Sequence, residues 1–298
     1  MCLDVLEKTP NQDPSRLKDR RSLAATLADW LKTSGLDTSK QFIDLCIISK
    51  SGHGSRFLDR LLALLLAEGE TTAPWRWFIR SNEQRVKETG LDPARVATFR
   101  QQLLAKMVSM EASADLTRGL TVFMQAFRIV ENAGYESAYG LLRPAGGHLV
   151  NHITSSTEQA LRLDAELYQS FLSSSPRWLG GWSRAVEAML WLHHPLQRST
   201  APGLSFIEDP AGAIAYVKSS RSRRNFLVQL CLGVARQLLE QEKFAEAQAV
   251  MAFTKEHFAD VVLPKPAVME QVQQQAQQPW KVRTERKNLE LLDSLVPA

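Results

Sequence analysis

Residues Phe226–Phe258, FLVQLCLGVARQLLEQEKFAEAQAVMAFTKEHF, constrain the fold of this chain more than any other stretch. Apolar side chains recur at Phe226, Leu227, Leu230, Cys231, Val234, Leu238 and Leu239. That is the i, i+3, i+4, i+7 spacing of a helix with one buried face. Phe244, Ala247, Val250, Met251 and Phe258 continue the spacing after QEKF. The pattern predicts two helices packed back to back across a tight turn. Ala235 and Ala247 are the small residues expected where the helices approach closely, and Phe244 is expected to cover the end of the seam.

Ala235, Phe244, Ala247 and Met251 stand at spacings that resemble the small–aromatic–small–large pattern of a tetratricopeptide-type hairpin. The chain departs from that pattern at Cys231 (an aromatic in the family), Glu242 (the turn glycine) and Ala259 (the closing proline). Within VFMQAFRIVENAGYESAYGLL, residues 122–142, Ala126, Tyr135, Ala138 and Leu142 have the same mutual spacing. Ile129, Val130 and Glu131 there correspond to Leu238, Leu239 and Glu240. Recurrence of one supersecondary unit is the mark of stacked repeats, although amphipathic hairpins share small residues near their turns by chance as well. The resemblance implies an α-solenoid with an extended concave binding surface. Its pentatricopeptide-type relatives imply RNA binding, in an organelle, as the alternative to protein binding.

The rest of the chain supplies more helices. Arg21–Lys32 is amphipathic through Leu23, Leu27, Trp30 and Leu31, and Thr38 or Ser39 is placed to cap a helix through Phe42 and Cys46. SGHGS at 51–55 predicts a break, and Arg56–Glu68 is the most apolar helix of the chain. Pro74 opens a helix over WRWFIRSNEQRVKETG, and Asp92-Pro93 is a cap followed by a first-turn proline. Pro144-Ala-Gly-Gly predicts a connection, as does SSSP at 173–176 between helices at 161–172 and 181–192. Residues 195–211 hold three prolines and are the candidate for an internal boundary. Around the central array at 21–263 lie a polar lead-in over 1–20 and, over 264–298, a glutamine-rich helix and a charged one with Leu289, Leu292 and Leu295. Strand signals are confined to Ile47-Ile48 and Val261-Val262-Leu263, which read as helix ends. The fold class expected is all-α, stacked antiparallel hairpins.

No apolar run reaches bilayer length, since Asp59 and Arg60 interrupt the longest, Phe57–Ala67. Three separated cysteines, Cys2, Cys46 and Cys231, argue against a disulfide framework and for a reducing compartment, cytoplasmic or the mitochondrial matrix. Asp4 and Glu7 oppose both a secretory signal and an organellar presequence. A net charge of +4 is compatible with nucleic acid without pointing to it.

No constellation for catalysis, cofactor or metal emerges. His148 and His152 in HLVNH share a helix face, but Leu149 stands where a zinc protease needs its glutamate. His193-His194 precede Pro195 at a helix end, where capping is expected. SGHGS has its histidine where a nucleophile elbow needs serine. No phosphate-cradling glycine loop occurs, and Glu208-Asp209 is expected to cap the segment after it. Two basic features remain. Lys218, Arg221, Arg223 and Arg224 either face phosphates or form a solvated approach to a helix. Trp75, Arg76 and Arg80 in WRWFIR either stack on unpaired bases or belong to a buried helix start. These residues are the candidate contacts. The function expected is a non-catalytic scaffold, adaptor or assembly factor that binds another protein, with RNA binding as the alternative.

Overall fold

The computed structural model describes residues 23–47, 53–134, 136–209, 211–217 and 221–262. The lead-in over 1–20, the helices expected over 264–298, Ile48, Ser51-Gly52, Tyr135 and Lys218 lie outside them. Fifteen α-helices, three short 3₁₀ segments and no strand make up the described residues. The chain is all-α. It divides between Pro202 and Gly203 into two compact units, inside the proline-bearing stretch 195–211.

The first unit begins with α1 (Leu23–Thr33), α2 (Lys40–Cys46) and α3 (His53–Ala67). Ser39 caps α2 by accepting the Phe42 N–H at 3.2 Å. His53 is already helical, so the break expected over 51–55 does not extend past Gly52. The single helix expected after Pro74 is two: α4 (Thr72–Ile79) and α5 (Asn82–Thr89). The cause is Ser81, whose hydroxyl accepts the Gln84 N–H at 3.1 Å and starts a new helix where the backbone leaves helical geometry at Arg80.

Next comes α6 (Pro93–Ala114), which packs against α2, α3, α4, α5, α7 (Leu116–Asn132) and α8 (Arg143–Ser155). It is the centre of the unit, with Val96, Phe99, Leu103, Leu104, Met107 and Val108 buried. One residue, Asp115, joins α6 to α7 and caps the second helix through the Thr117 N–H at 2.9 Å. Gly119 lets α7 lie directly on Ala112, where a methyl group would overlap both the Ala112 side chain and its backbone. The first true hairpin is therefore α6–α7, not 122–142. In the latter, α7 ends at Asn132 and a 3₁₀ segment, Glu136–Leu141, replaces the expected second helix.

Two expected breaks are also helical. Pro144 sits in the first turn of α8, where a proline costs no hydrogen bond. After α9 (Thr157–Leu161), α10 (Ala165–Leu179) runs through Pro176 without ending. An interior proline costs about 3 kcal/mol. Against it, Trp178 and Leu179 beyond the proline are buried, each burial contributing about 1.5–3 kcal/mol. The Trp178 indole also donates to Ser174 Oγ at 3.1 Å. Burial wins. α11 (Ser183–Leu192) and a loop to Thr200 complete the unit.

The second unit consists of α12 (Ala201–Glu208, counting its first two residues), α13 (Ala213–Val217), α14 (Arg221–Glu240) and α15 (Phe244–Val262). α12 occupies part of the stretch expected to be irregular, because Gly203 packs onto Val234 and Phe206 and Ile207 are buried. α14 and α15 form the hairpin that the sequence predicts, turning at Gln241–Lys243. Leu227, Leu230, Cys231, Val234, Ala235 and Leu238 on α14 are buried, as are Ala247, Val250, Thr254 and Phe258 on α15. Phe244 does not cover the seam: it is 64% exposed.

Candidate functional site

Helix α4 carries WRWFI, and its aromatics point inward. Trp75, Trp77 and Phe78 are buried, with Trp77 5.1 Å from the Phe42 ring. A buried carboxylate, Asp37, anchors the helix: it accepts from the Trp77 indole at 3.2 Å and pairs with Arg76 at 3.1 Å. Arg80 pairs with Glu88. Of the candidate contacts in WRWFIR, Trp75 is buried, while Arg76 and Arg80 are half-buried and each is held by an ion pair. Asp37 carries no sequence signal of this role.

Two arginines that sequence reasoning missed close the C-terminal end of α4. Arg85 is 1% exposed, donates from Nη2 to the Trp77 carbonyl at 2.6 Å and lies 4.9 Å over the Phe99 ring. Arg100 is 7% exposed and donates from Nε to the Phe78 carbonyl at 3.0 Å and from Nη1 to Asn82 Oδ1 at 2.9 Å. Its guanidinium stands 5.1 Å over the Phe78 ring. The last carbonyls of a helix have no partner within it and carry the negative end of its dipole, so cations belong there. Burial pushes both guanidinium pKa values down to about 10, which leaves both charged at neutral pH. The available signal was position: Arg100 sits between Phe99 and Leu103 on the apolar stripe of α6.

Beside Arg100 lies a cavity of about 280 Å³. Ser81, Asn82 and Glu83 from the start of α5 line it, with Arg100, Ala97 and Gln101 from α6. The rest of its lining includes the apolar residues Ile79, Ile129, Val130 and Leu141. A second cavity, about 440 Å³, lies along α6 between Asp59 of α3 and His148 of α8, with Lys106 paired to Asp59.

The basic cluster of the second unit is only partly available. Arg223 stands 5.3 Å over the Tyr216 ring. Arg224 stands 5.5 Å over Phe258 and donates to the His257 carbonyl at 3.4 Å, where α15 departs from helical geometry at Phe258. Arg221 is exposed. At the other end of the hairpin, Leu239 is 49% exposed before the turn and Phe244 is exposed after it, and Leu232 and Met251, further along their helices, are exposed as well.

No group of three His, Cys, Asp or Glu side chains able to hold a metal ion occurs among the described residues. His194 is buried, and its Nδ1 accepts the N–H groups of Leu196 at 3.2 Å and Gln197 at 3.0 Å. That assigns the ring hydrogen to Nε2, 3.3 Å from Gln169 Oε1. His194 therefore does not cap the end of α11: it holds the following loop as an acceptor, and burial pushes its pKa down. Asp209 accepts the Ala211 N–H at 2.9 Å and caps the turn into α13. Cys46 and Cys231 are buried free thiols with raised pKa values, Cys231 up to about 11, which makes them packing residues. No helix among the described residues is long and apolar enough to cross a membrane.

Compared with protein-family models, curated proteins and solved structures, the chain matches none.

Proposed function

We propose that this chain is a non-catalytic helical scaffold that binds another protein, with the turn end of the α14–α15 hairpin as its contact surface. The observation that carries this reading is the exposure of Leu239 and Phe244 on either side of one tight turn. An exposed aromatic beside an exposed leucine is the composition of an interface anchor, where a few large side chains supply most of the binding energy. Each unit holds one such hairpin, α6–α7 in the first and α14–α15 in the second, which is the building block that the tetratricopeptide resemblance implies. RNA binding has less support, because Arg223 and Arg224 are engaged with Tyr216, Phe258 and the His257 carbonyl.

Proximity labelling in cells, with the wild-type chain and a Leu239→Asp, Phe244→Asp variant, tests the reading. A discrete set of proteins labelled by the wild type and lost from the variant, at unchanged melting temperature, is expected. An identical labelled set for both would remove the hairpin turn as the contact surface. Salt-sensitive affinity for single-stranded RNA, weakened by Arg221→Gln, would replace the protein-binding reading with the RNA-binding one.

A further inference from the structure

The arginine cluster of the first unit has more positive charge than its surroundings neutralise. Arg76, Arg80, Arg85 and Arg100 stand around the end of α4, and Asp37 and Glu88 are the carboxylates that act on them there. Those two carboxylates are bonded to Arg76 and Arg80. Arg85 and Arg100, the most buried pair, bond only to neutral oxygens. An interior cation without an anion is costly, because desolvation is not repaid by a partner charge. Arg100, which donates from Nε and Nη1, is the cation that lines the 280 Å³ cavity.

A second positive feature faces the same space. Helix α5 begins there, and Asn82 and Glu83 contribute the first N–H groups of the helix, which have no partner within it. Ser81 already uses its hydroxyl to accept the Gln84 N–H, so it does not serve those two. Helix starts of this kind attract anions through both the free N–H groups and the dipole. Ile129, Val130 and Leu141, which also line the cavity, offer apolar surface that no phosphate or sulfate would use. We infer that this cavity binds a carboxylate on a compact aliphatic body, the carboxylate between Arg100 and the start of α5 and the aliphatic part against Ile129, Val130 and Leu141. Such a group is presented equally by a free short-chain acid and by the C-terminal leucine or valine of a polypeptide. The one acidic residue lining the cavity, Glu83, opposes the ligand from the first turn of α5.

The test is titration of the full-length protein with 4-methylpentanoate and with the uncharged 4-methylpentanamide, read by calorimetry and by the Arg100 Nε–H resonance. The acid is expected to bind at least about tenfold tighter than the amide, because the charge-assisted contacts need the carboxylate. Glu83→Gln should tighten the acid about threefold by removing a like charge at the helix start. Ala97→Met, one turn before Arg100 on α6, should fill the cavity and abolish binding with the arginine still present. A short peptide ending in leucine, with its C-terminus free or amidated, separates the two sources. Tighter binding of the free-ended peptide than of the acid assigns a polypeptide terminus, and binding of the acid alone assigns a small metabolite. Equal affinity for acid and amide, or no saturable binding of either, would overturn the inference. So would acid binding that is indifferent to both Glu83→Gln and Ala97→Met.

Discussion

His194 shows how one side chain couples the structure to pH. Its ring lies stacked on Trp191 with centroids 5.4 Å apart and edge-on to Tyr168 at 5.2 Å, while Nδ1 accepts two backbone N–H groups. Protonating Nδ1 would set a third hydrogen against those two donors. The folded state therefore prefers the neutral ring, and burial lowers the pKa below the ordinary value of about 6.5. Between the lowered value and 6.5 the unfolded chain binds more protons than the folded one, so stability rises with pH across that window. The contribution is complete above about pH 6.5 and declines as pH falls below it, by at most about 1.4 kcal/mol per pH unit. Urea midpoints of wild type and His194→Asn, compared from pH 7.5 down to pH 5, should converge as the pH falls; parallel curves would show that this ring does not titrate on unfolding. Gly146 makes a steric case at the same scale. A methyl group there would overlap the Trp178 ring, which is itself buried and fixed by Ser174. Gly146→Ala should cost roughly 1–3 kcal/mol despite the better helix propensity of alanine, measured by chemical denaturation.

At the scale of the element, the α14–α15 turn departs from the residue its geometry favours. The Lys243 N–H bonds to the Leu238 carbonyl at 2.9 Å and the Glu242 N–H to the Leu239 carbonyl at 3.1 Å. That pair is the Schellman arrangement, whose penultimate residue is left-handed and usually glycine. Here it is Glu242, with φ of 61°, the one positive-φ residue other than glycine among those described. Glu242→Gly should stabilise the second unit by about 1 kcal/mol, since the β-carbon penalty of that conformation is removed. A lower melting temperature for the glycine variant would mean that the side chain contributes more than the strain it brings. The hairpin itself was legible because its apolar spacing is a local property that survives in any packing. The 122–142 copy was not, because the same spacing ends in a 3₁₀ segment where Glu136–Leu141 follows α7. Pro144 and Pro176 misled in the same direction: a proline signals a break in an isolated helix, and burial of Trp178 and Leu179 overrides it in a packed one. The arginine-lined cavity was illegible for a related reason. Arg85 and Arg100 acquire their role only when tertiary packing brings the end of α4 onto them, and the place of Arg100 on the apolar stripe of α6 is the one local trace of it.

At the scale of the whole molecule, the division between Pro202 and Gly203 leaves one buried free cysteine in each unit, Cys46 in the first and Cys231 in the second. Each thiol sits at zero exposure and is held protonated by burial. Cys231 is further engaged by Thr254, which faces it from α15. A thiol reagent attacks thiolate, and neither cysteine offers one in the folded state, so modification proceeds only through opening of the surrounding structure. In a Cys2→Ser background the two labelling rates then report the stabilities of the two units separately. The units differ in size, 202 residues against 96. A smaller unit buries a smaller fraction of its surface and closes fewer apolar contacts over its core. The second unit also rests chiefly on one hairpin, α14 against α15, whereas the first surrounds α6 with six helices. Cys231 should therefore become reactive at a lower urea concentration than Cys46, and Glu242→Gly should shift the Cys231 transition alone. Mass spectrometry of the labelled peptides across a urea series resolves the two sites. Coincident transitions that move together in the glycine variant would show that the two units unfold as a single cooperative body.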